Sequence, residues 1–240
     1  MRVLAGTSGF SYKEWKGSFY PEDLPAERML AYYAERLPAV EINNTFYRMP
    51  KPALLESWAA EVPPEFRFVL KASQRITHFK RLKDTGSEVE YFFGVASTLG
   101  ERLGPVLVQL PPNLKKDLPR LEAFLATLPA QARPAFEFRH ASWFDAEVFA
   151  RLRERNLALC VADSEKLSAP VEITADYAYF RLRDEGYTPE DIRRWGQTIA
   201  AHTAHCRDVF VYFKHEESGK GPAFARMLLD SLAAPGEANG

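Results

Sequence analysis

The sequence predicts an α/β fold, a single TIM-type (β/α)8 barrel over residues 1–240 with an irregular sixth crossover. Three observations predict it. Eight short apolar runs recur along 240 residues, close to the ~250 typical of one such barrel. Helix-period segments separate most of them, and strand–helix alternation builds a parallel sheet. Each run ends in hydrogen-bonding or ionisable residues, as strands do where they open on a barrel mouth.

The apolar runs are Val3–Ala5, Ala39–Ile42, Arg67–Leu70, Pro105–Leu110, Pro134–Phe138, Leu157–Ala162, Tyr177–Leu182 and Asp208–Phe213. Helical periodicity covers Ala26–Leu37, Ala53–Glu61, Val89–Leu103, Leu118–Leu128, Trp143–Arg155, Pro189–His205 and Pro222–Leu232. Thr188 before Pro189 is a strong helix start, because Thr caps and Pro takes the first helical position. Ser142 reads as the N-cap of the fifth helix, whose apolar face runs through Val148, Phe149 and Leu152. The sixth crossover, Asp163–Asp176, contains Pro170 and shows no helical pattern.

The strand ends carry Thr7-Ser8, Glu41 with Asn43, Lys71, Gln109, Glu137 with Arg139, Asp163, Arg181 with Arg183, and Lys214 with His215. In an extended chain, residues two apart share a face, so Glu137 and Arg139 point one way and Phe136 and Phe138 the other. Lys71, Arg139, Arg181, Arg183 and Lys214 outnumber Glu41, Glu137 and Asp163, which makes the expected mouth cationic. Arginine suits phosphate or carboxylate through its planar fork. Ser218-Gly219-Lys220-Gly221-Pro222 leads into the last helix, where many barrels bind phosphate, but it lacks a Walker ending.

Two loops are long. Residues 6–24 carry Phe10, Tyr12, Trp15, Phe19 and Tyr20, and residues 72–86 carry Arg75, His78, Lys80, Arg81 and Lys83 against Asp84. Loops of this length are either covers or binding segments. The aromatic loop reads equally well as packing or as function, whereas the basic loop leans toward function.

Net charge is −1, from 31 basic and 32 acidic residues, so there is no bulk attraction to nucleic acid or to an anionic membrane. The N-terminal run reaches Gly6 and Ser8 too soon for a secretory signal, and no apolar run reaches bilayer-spanning length. Cys160 and Cys206 form no CxxC pair, and buried reduced thiols in a cytoplasmic protein are expected.

Several motifs then stand together: Gly6-Thr7-Ser8-Gly9-Phe10-Ser11-Tyr12 with Trp15 and Phe19-Tyr20-Pro21; Val40-Glu41-Ile42-Asn43-Asn44-Thr45-Phe46-Tyr47-Arg48-Met49-Pro50; Phe66–Ser73 with Ile76-Thr77-His78; Leu103-Gly104-Pro105 with Gln109-Leu110-Pro111-Pro112; Glu137-Phe138-Arg139-His140 with Ser142-Trp143; and Val161-Ala162-Asp163-Ser164. On these the chain resembles the YecE-like family, TIM-barrel proteins of unknown function loosely related to sugar isomerases. The resemblance covers nearly the whole chain and implies the fold, not a reaction. Two stretches depart from it. Arg181-Leu182-Arg183-Asp184 stands where an Arg-Leu-His-Gly-like run is expected, and Lys214-His215-Glu216-Glu217 where an Asn-rich turn is expected.

Three functions compete. The first is acid/base chemistry on a small anionic substrate such as a sugar phosphate. In it Glu41, Lys71, Glu137 and Asp163 are catalytic, and Asn43, Tyr47, His78, Gln109, Arg139, His140, Trp143, Arg181 and Lys214 bind substrate. Glu137 or Glu41 serves as base and Lys71 stabilises a developing oxyanion. The second is nucleic-acid binding or phosphodiester cleavage through the two loops, and it ranks below the first. The third is a non-catalytic ligand-binding barrel. Glu41 with Glu137 is also a candidate glycosidase pair. His140, Glu137, Asp163, Glu41 and His215 are metal-capable residue types. No HxH or HxxxH pair falls on a strand end and the neighbouring cations oppose a divalent ion, so neither metal nor cofactor is expected.

Overall fold

The computed structural model describes residues 1–163, 167–214 and 219–233. Eight parallel strands close into a barrel in sequential order: β1 (Arg2–Ser8), β2 (Ala39–Ile42), β3 (Arg67–Lys71), β4 (Leu103–Gln109), β5 (Pro134–Glu137), β6 (Ala158–Asp163), β7 (Tyr177–Leu182) and β8 (Asp208–Phe213). Closure is made by β1 on β8, with Val3 opposite Val209 and Ala5 opposite Val211. The helices are α1 (Met29–Ala34), α2 (Pro52–Glu61), α3 (Gly86–Ala96), α4 (Leu118–Leu125), α5 (Ala146–Glu154), α6 (Pro189–Thr203) and α7 (Lys220–Ala233). Between β6 and β7 the described residues 167–176 form no helix, as the sequence predicts. Among the described residues no helix is long and apolar enough to cross a membrane.

Strand alternation sorts the core into two compartments. Leu4, Ala39, Val69, Leu107, Ala135, Ala158, Cys160, Tyr177, Tyr179, Phe210 and Tyr212 fill the barrel. Their strand neighbours Val40, Phe68, Leu70, Val108, Phe136, Val161, Phe180 and Val211 pack outward under the helices. At the amino end of the strands Asp208 ties the barrel shut, held by Arg2 at 2.9 Å and Arg133 at 3.2 Å. Gly6 is obligatory in β1, since a Cβ there would sit 1.8 Å from the Ala39 carbonyl oxygen.

Some helix limits differ from the periodicity for identifiable reasons. The third helical segment breaks after Ala96 because Gly100 leaves helical geometry at φ 55. The fifth helix is capped by Asp145, whose side chain accepts from the Glu147 amide, and not by Ser142. Ser142 Oγ instead accepts from the Lys116 amide. For α6 the sequence reading holds: Thr188 and Asp191 form a reciprocal capping box with Pro189 in the first turn.

The aromatic loop is packing. Trp15 and Tyr20 are buried, stack at 6.0 Å, and with Phe19 pack on Tyr32 and Tyr33 of α1. The basic loop is held by its own backbone hydrogen bonds. Lys80 N donates to the Arg75 carbonyl across a wide turn, and Leu82 is a buried anchor. Arg81, Leu82 and Asp84 are all left-handed, at φ 50, 67 and 52.

Candidate functional site

Above the apolar plug, the inward series of four strands end in polar groups, three of them charged. Ala39 is followed by Glu41, Leu107 by Gln109, Ala135 by Glu137, and Tyr179 by Arg181, each two residues on and so on the same face. Barrel closure brings these ends together around Arg181. Its Nη2 and Nε donate to the two oxygens of Glu41 at 2.7 and 2.9 Å, and its Nη1 donates to Glu137 Oε2 at 2.6 Å. None of the three side chains is more than 2% exposed. Ser8 Oγ (2.7 Å) and Tyr179 OH (2.6 Å) complete the shell of Glu41. Gln109 Nε2 donates to Glu137 Oε2 at 2.9 Å, and Arg139 Nε stands 3.7 Å from Glu137 Oε1.

The electrostatics follow from this bridge. Burial alone would push the Glu137 carboxyl up, but Arg181, Arg183, the Gln109 hydrogen bond and Arg139 hold it at about 2. Burial also opposes ionisation of Glu41, and the charge and hydrogen bonds of Arg181, with those of Tyr179 and Ser8, outweigh it and lower its pKa. Burial would weaken the Arg181 guanidinium; Glu41 and Glu137 instead raise its pKa far above the ordinary value. Both carboxylates are ionised and share one guanidinium. The pair therefore lacks the protonated acid that glycoside hydrolysis needs.

Lys71 ends β3. Thr45 Oγ1 donates to its carbonyl at 2.7 Å, tying the turn after β2 to β3, and the Phe46 ring lies 4.2 Å from Lys71 Nζ. Burial, then Arg181, lowers the Lys71 ammonium to about 8, against the opposing pull of Glu137 and Glu41. His78 meets Phe46 edge-on at 4.9 Å, and its Nδ1 pairs with Thr77 Oγ1 at 2.9 Å. Burial and the charge of Lys71 lower its pKa, so the ring is neutral at neutral pH. The Arg183 pKa is lowered chiefly by burial, and its Nε is enclosed without a hydrogen-bond partner. Asn43, two residues beyond Glu41, keeps an enclosed Oδ1 that also has none.

Of the residues the sequence singles out, Glu41, Lys71, Gln109, Glu137, Arg139 and Arg181 come together; Asn43 and His78 lie on the adjoining turn and loop. Others do not join them. Asp163 is outward: Cys160 and Ala162 hold the inward register of β6, and Asp163 accepts from Ser168 Oγ (2.7 Å) and Tyr187 OH (2.6 Å) in the helical layer. Trp143 is fully buried, stacked on Phe138 at 4.8 Å with Nε1 donating to the Leu114 carbonyl, so it packs rather than binds. His140 accepts from the Ser142 amide and caps a short turn. Tyr47 is exposed, edge-on to Phe46, and Lys214 is exposed past the end of β8. Within the basic loop, Arg75 and Lys80 are both paired to Glu88. His215 and Ser218, and Ser164 of the β6 motif, lie outside the described residues. Gly219 packs against Ser18 and Trp15. Among the described residues no group of three His, Cys, Asp or Glu side chains could hold a metal ion. Sequence reasoning missed Tyr179 and Phe46 as site residues. The inward register was the available signal for Tyr179, two residues before Arg181.

Fold and site together define a (β/α)8 barrel whose mouth is floored by a buried carboxylate–guanidinium–carboxylate bridge. The chain belongs to the family described as protein of unknown function DUF72, whose model matches residues 4–239, in agreement with the YecE-like resemblance. YecE of Escherichia coli K12 is 31% identical over 146 residues, 58% of this chain and 54% of YecE, so the match spans about half of that protein's length. YunF of Bacillus subtilis 168 is 24% identical over 254 residues, covering 90% of each. A crystal structure of a DUF72 family protein from Thermotoga maritima is similar with a TM-score of 0.87 at 29% identity, over 97% of this chain and 99% of that one.

Proposed function

We propose that the barrel mouth binds a small anionic molecule bearing hydroxyl groups, of the sugar-phosphate kind, and carries acid/base chemistry on it. One observation supports this most. Glu41 and Glu137 are already bridged by Arg181, so Lys71 and Arg183 face the mouth as cations without an ion-pair partner, and Arg139 reaches Glu137 only at 3.7 Å. Arg139 and Arg183 hold the anionic group, and the unpaired Asn43 Oδ1 suits a hydrogen-bond donor on the ligand. Lys71, titrating near neutrality, exchanges the proton. Arg181 and Gln109 position Glu137, and Glu41 in turn holds Arg181. The loose relation to sugar isomerases that the sequence resemblance implies favours a sugar phosphate over a simple inorganic ion. Two buried free thiols, Cys160 and Cys206, favour a reducing cytoplasm as the place of action.

Nucleic acid ranks second. Its stacking loop is buried in packing, and two of its loop cations are engaged by Glu88. Calorimetry with sulfate, whose charge is constant around neutrality, tests the reading. One-site binding should weaken as pH rises through about 8, where Lys71 loses its charge. Arg183→Gln should weaken it at every pH. Absence of binding overturns the reading. A steep salt slope with single-stranded DNA, abolished by Arg81→Ala, would put nucleic acid first.

A further inference from the structure

We propose that Lys71 is a nucleophile, forming an iminium with the carbonyl carbon of a small anionic aldehyde or ketone. This rests on the anion-binding reading above and names the substrate class within it.

The argument begins with what Lys71 lacks. It ends a barrel strand on the inward register, two residues beyond the interior Val69. Among the described residues its ammonium makes no hydrogen bond and no ion pair, and it lies 4.2 Å from the Phe46 ring. A lysine meant only to neutralise charge is normally paired or fully solvated. Here the two nearest carboxylates, Glu137 of β5 and Glu41 of β2, are held by Arg181 of β7 instead. Arg181 and Arg139 add their own positive fields, and His78 faces the same space as a neutral ring. An amine desolvated against an aromatic wall and crowded by cations is the arrangement that activates lysine toward carbonyls. The lowering to about 8 agrees with that geometry. Arg139 and Arg183 cannot take this role, since guanidinium stays protonated, but they suit the anionic end of the same substrate.

The step balances without a redox partner. The free amine of Lys71 adds to the carbonyl carbon, and one amine proton passes to the carbonyl oxygen, giving a carbinolamine. A second proton, taken from solvent, lets that oxygen leave as water. The C–O bond breaks as the nitrogen lone pair forms C=N, and the positive charge that the ammonium carried returns on the iminium.

The test is reductive trapping on the full-length wild type. The protein is incubated separately with glyoxylate, pyruvate, dihydroxyacetone phosphate and glyceraldehyde 3-phosphate, reduced with borohydride, and mapped by peptide mass spectrometry. With at least one probe, Lys71 should label at least about tenfold ahead of exposed lysines, as its larger free-amine fraction requires. Sulfate should suppress that labelling. Lys71→Arg should bind sulfate and give no adduct at position 71; wild-type mapping stands whether or not this variant folds. Adducts spread over surface lysines with Lys71 unmodified, while sulfate still binds, would overturn the iminium and leave the anion site standing. Loss of sulfate binding in the wild type would remove the anion-site reading, and the iminium would then stand only on a Lys71 adduct.

Discussion

Replacing Arg181 with methionine, which fills similar space without charge, tests whether the floor of the mouth is built as described. Arg181 makes three charge-assisted hydrogen bonds, two to Glu41 and one to Glu137, all fully buried. Bonds of this kind contribute about 1.5–3 kcal/mol each, and removing one partner from a buried ion pair costs about 3–5 kcal/mol. Solvent admitted to the gap and repacking offset part of the sum, so the expected loss is about 4 kcal/mol near neutral pH. The sign of the pH dependence is the sharper test. In the wild type both carboxyls have folded pKa values below their unfolded ones, Glu137 at about 2. Their contribution is therefore present above the unfolded value of about 4.3 and is lost only as pH falls toward the folded one. In Arg181→Met, Glu137 keeps Arg139 and Arg183, but buried Glu41 loses its cation, which raises its pKa above the unfolded value. The variant then loses stability as pH rises through that raised pKa. Urea unfolding of both proteins at about pH 5 and about pH 7.5 should give a larger difference at the higher pH. Glu41→Gln in the Arg181→Met background should recover part of it. A cost under about 1 kcal/mol, or one independent of pH, would refute the buried bridge.

Three further outcomes follow from the same geometry. Lys71→Met should stabilise the protein by about 2–3 kcal/mol at neutral pH, because a lowered lysine pKa marks an ammonium disfavoured by the fold. The wild type gains on unfolding-state protonation as pH rises from about 8 toward its unfolded value, so the advantage of methionine should shrink across that window in chemical denaturation. Asp84→Gly should raise the melting temperature by the equivalent of up to about 1 kcal/mol, since it relieves a left-handed residue while Lys80 still donates to the backbone carbonyl there. Trp143→Phe should cost about 1–2 kcal/mol, by loss of a buried hydrogen bond to Leu114 and some packing, with sulfate affinity unchanged in calorimetry.

The barrel was legible because its signal is local and repeated. Branched and aromatic runs, helical periods between them and the Thr188–Pro189 helix start all act within a few residues of one another. Cap choice was less so: Ser142 and Asp145 are equally good residue types, and the decision fell to Lys116, distant in sequence, whose amide donates to Ser142. The mouth was half legible. Parity alone places Glu41, Glu137, Arg139 and Arg181 inward, and the same count, carried through β6, turns Asp163 outward. What the chain could not reveal is who pairs with whom. Arg181 and Glu41 are 140 residues apart, and their bidentate contact exists only because closure sets β7 across from β2. The aromatic loop was ambiguous for a related reason, as its rings become core only when α1 covers them.

That pairing also decides which residue can do chemistry. Read as an isolated side chain at a strand end, Glu137 is a natural base. Placed beside Arg181, Arg183 and Arg139, it is a carboxylate at about 2, too acidic to hold a proton near neutrality. Glu41 is further removed, since both its oxygens are already hydrogen-bonded and it is fully enclosed. The fold has thus converted the carboxylates into a fixed negative floor under a cationic rim. A group poised to exchange a proton must titrate near the working pH. Among the inward ionisable residues described, Lys71 at about 8 meets that condition, while the arginines stay charged and the Cys160 thiol is pushed up by burial. In the proposed function the carboxylates set the field, the arginines set the sign of the ligand, and the amine on β3 is the group left to react.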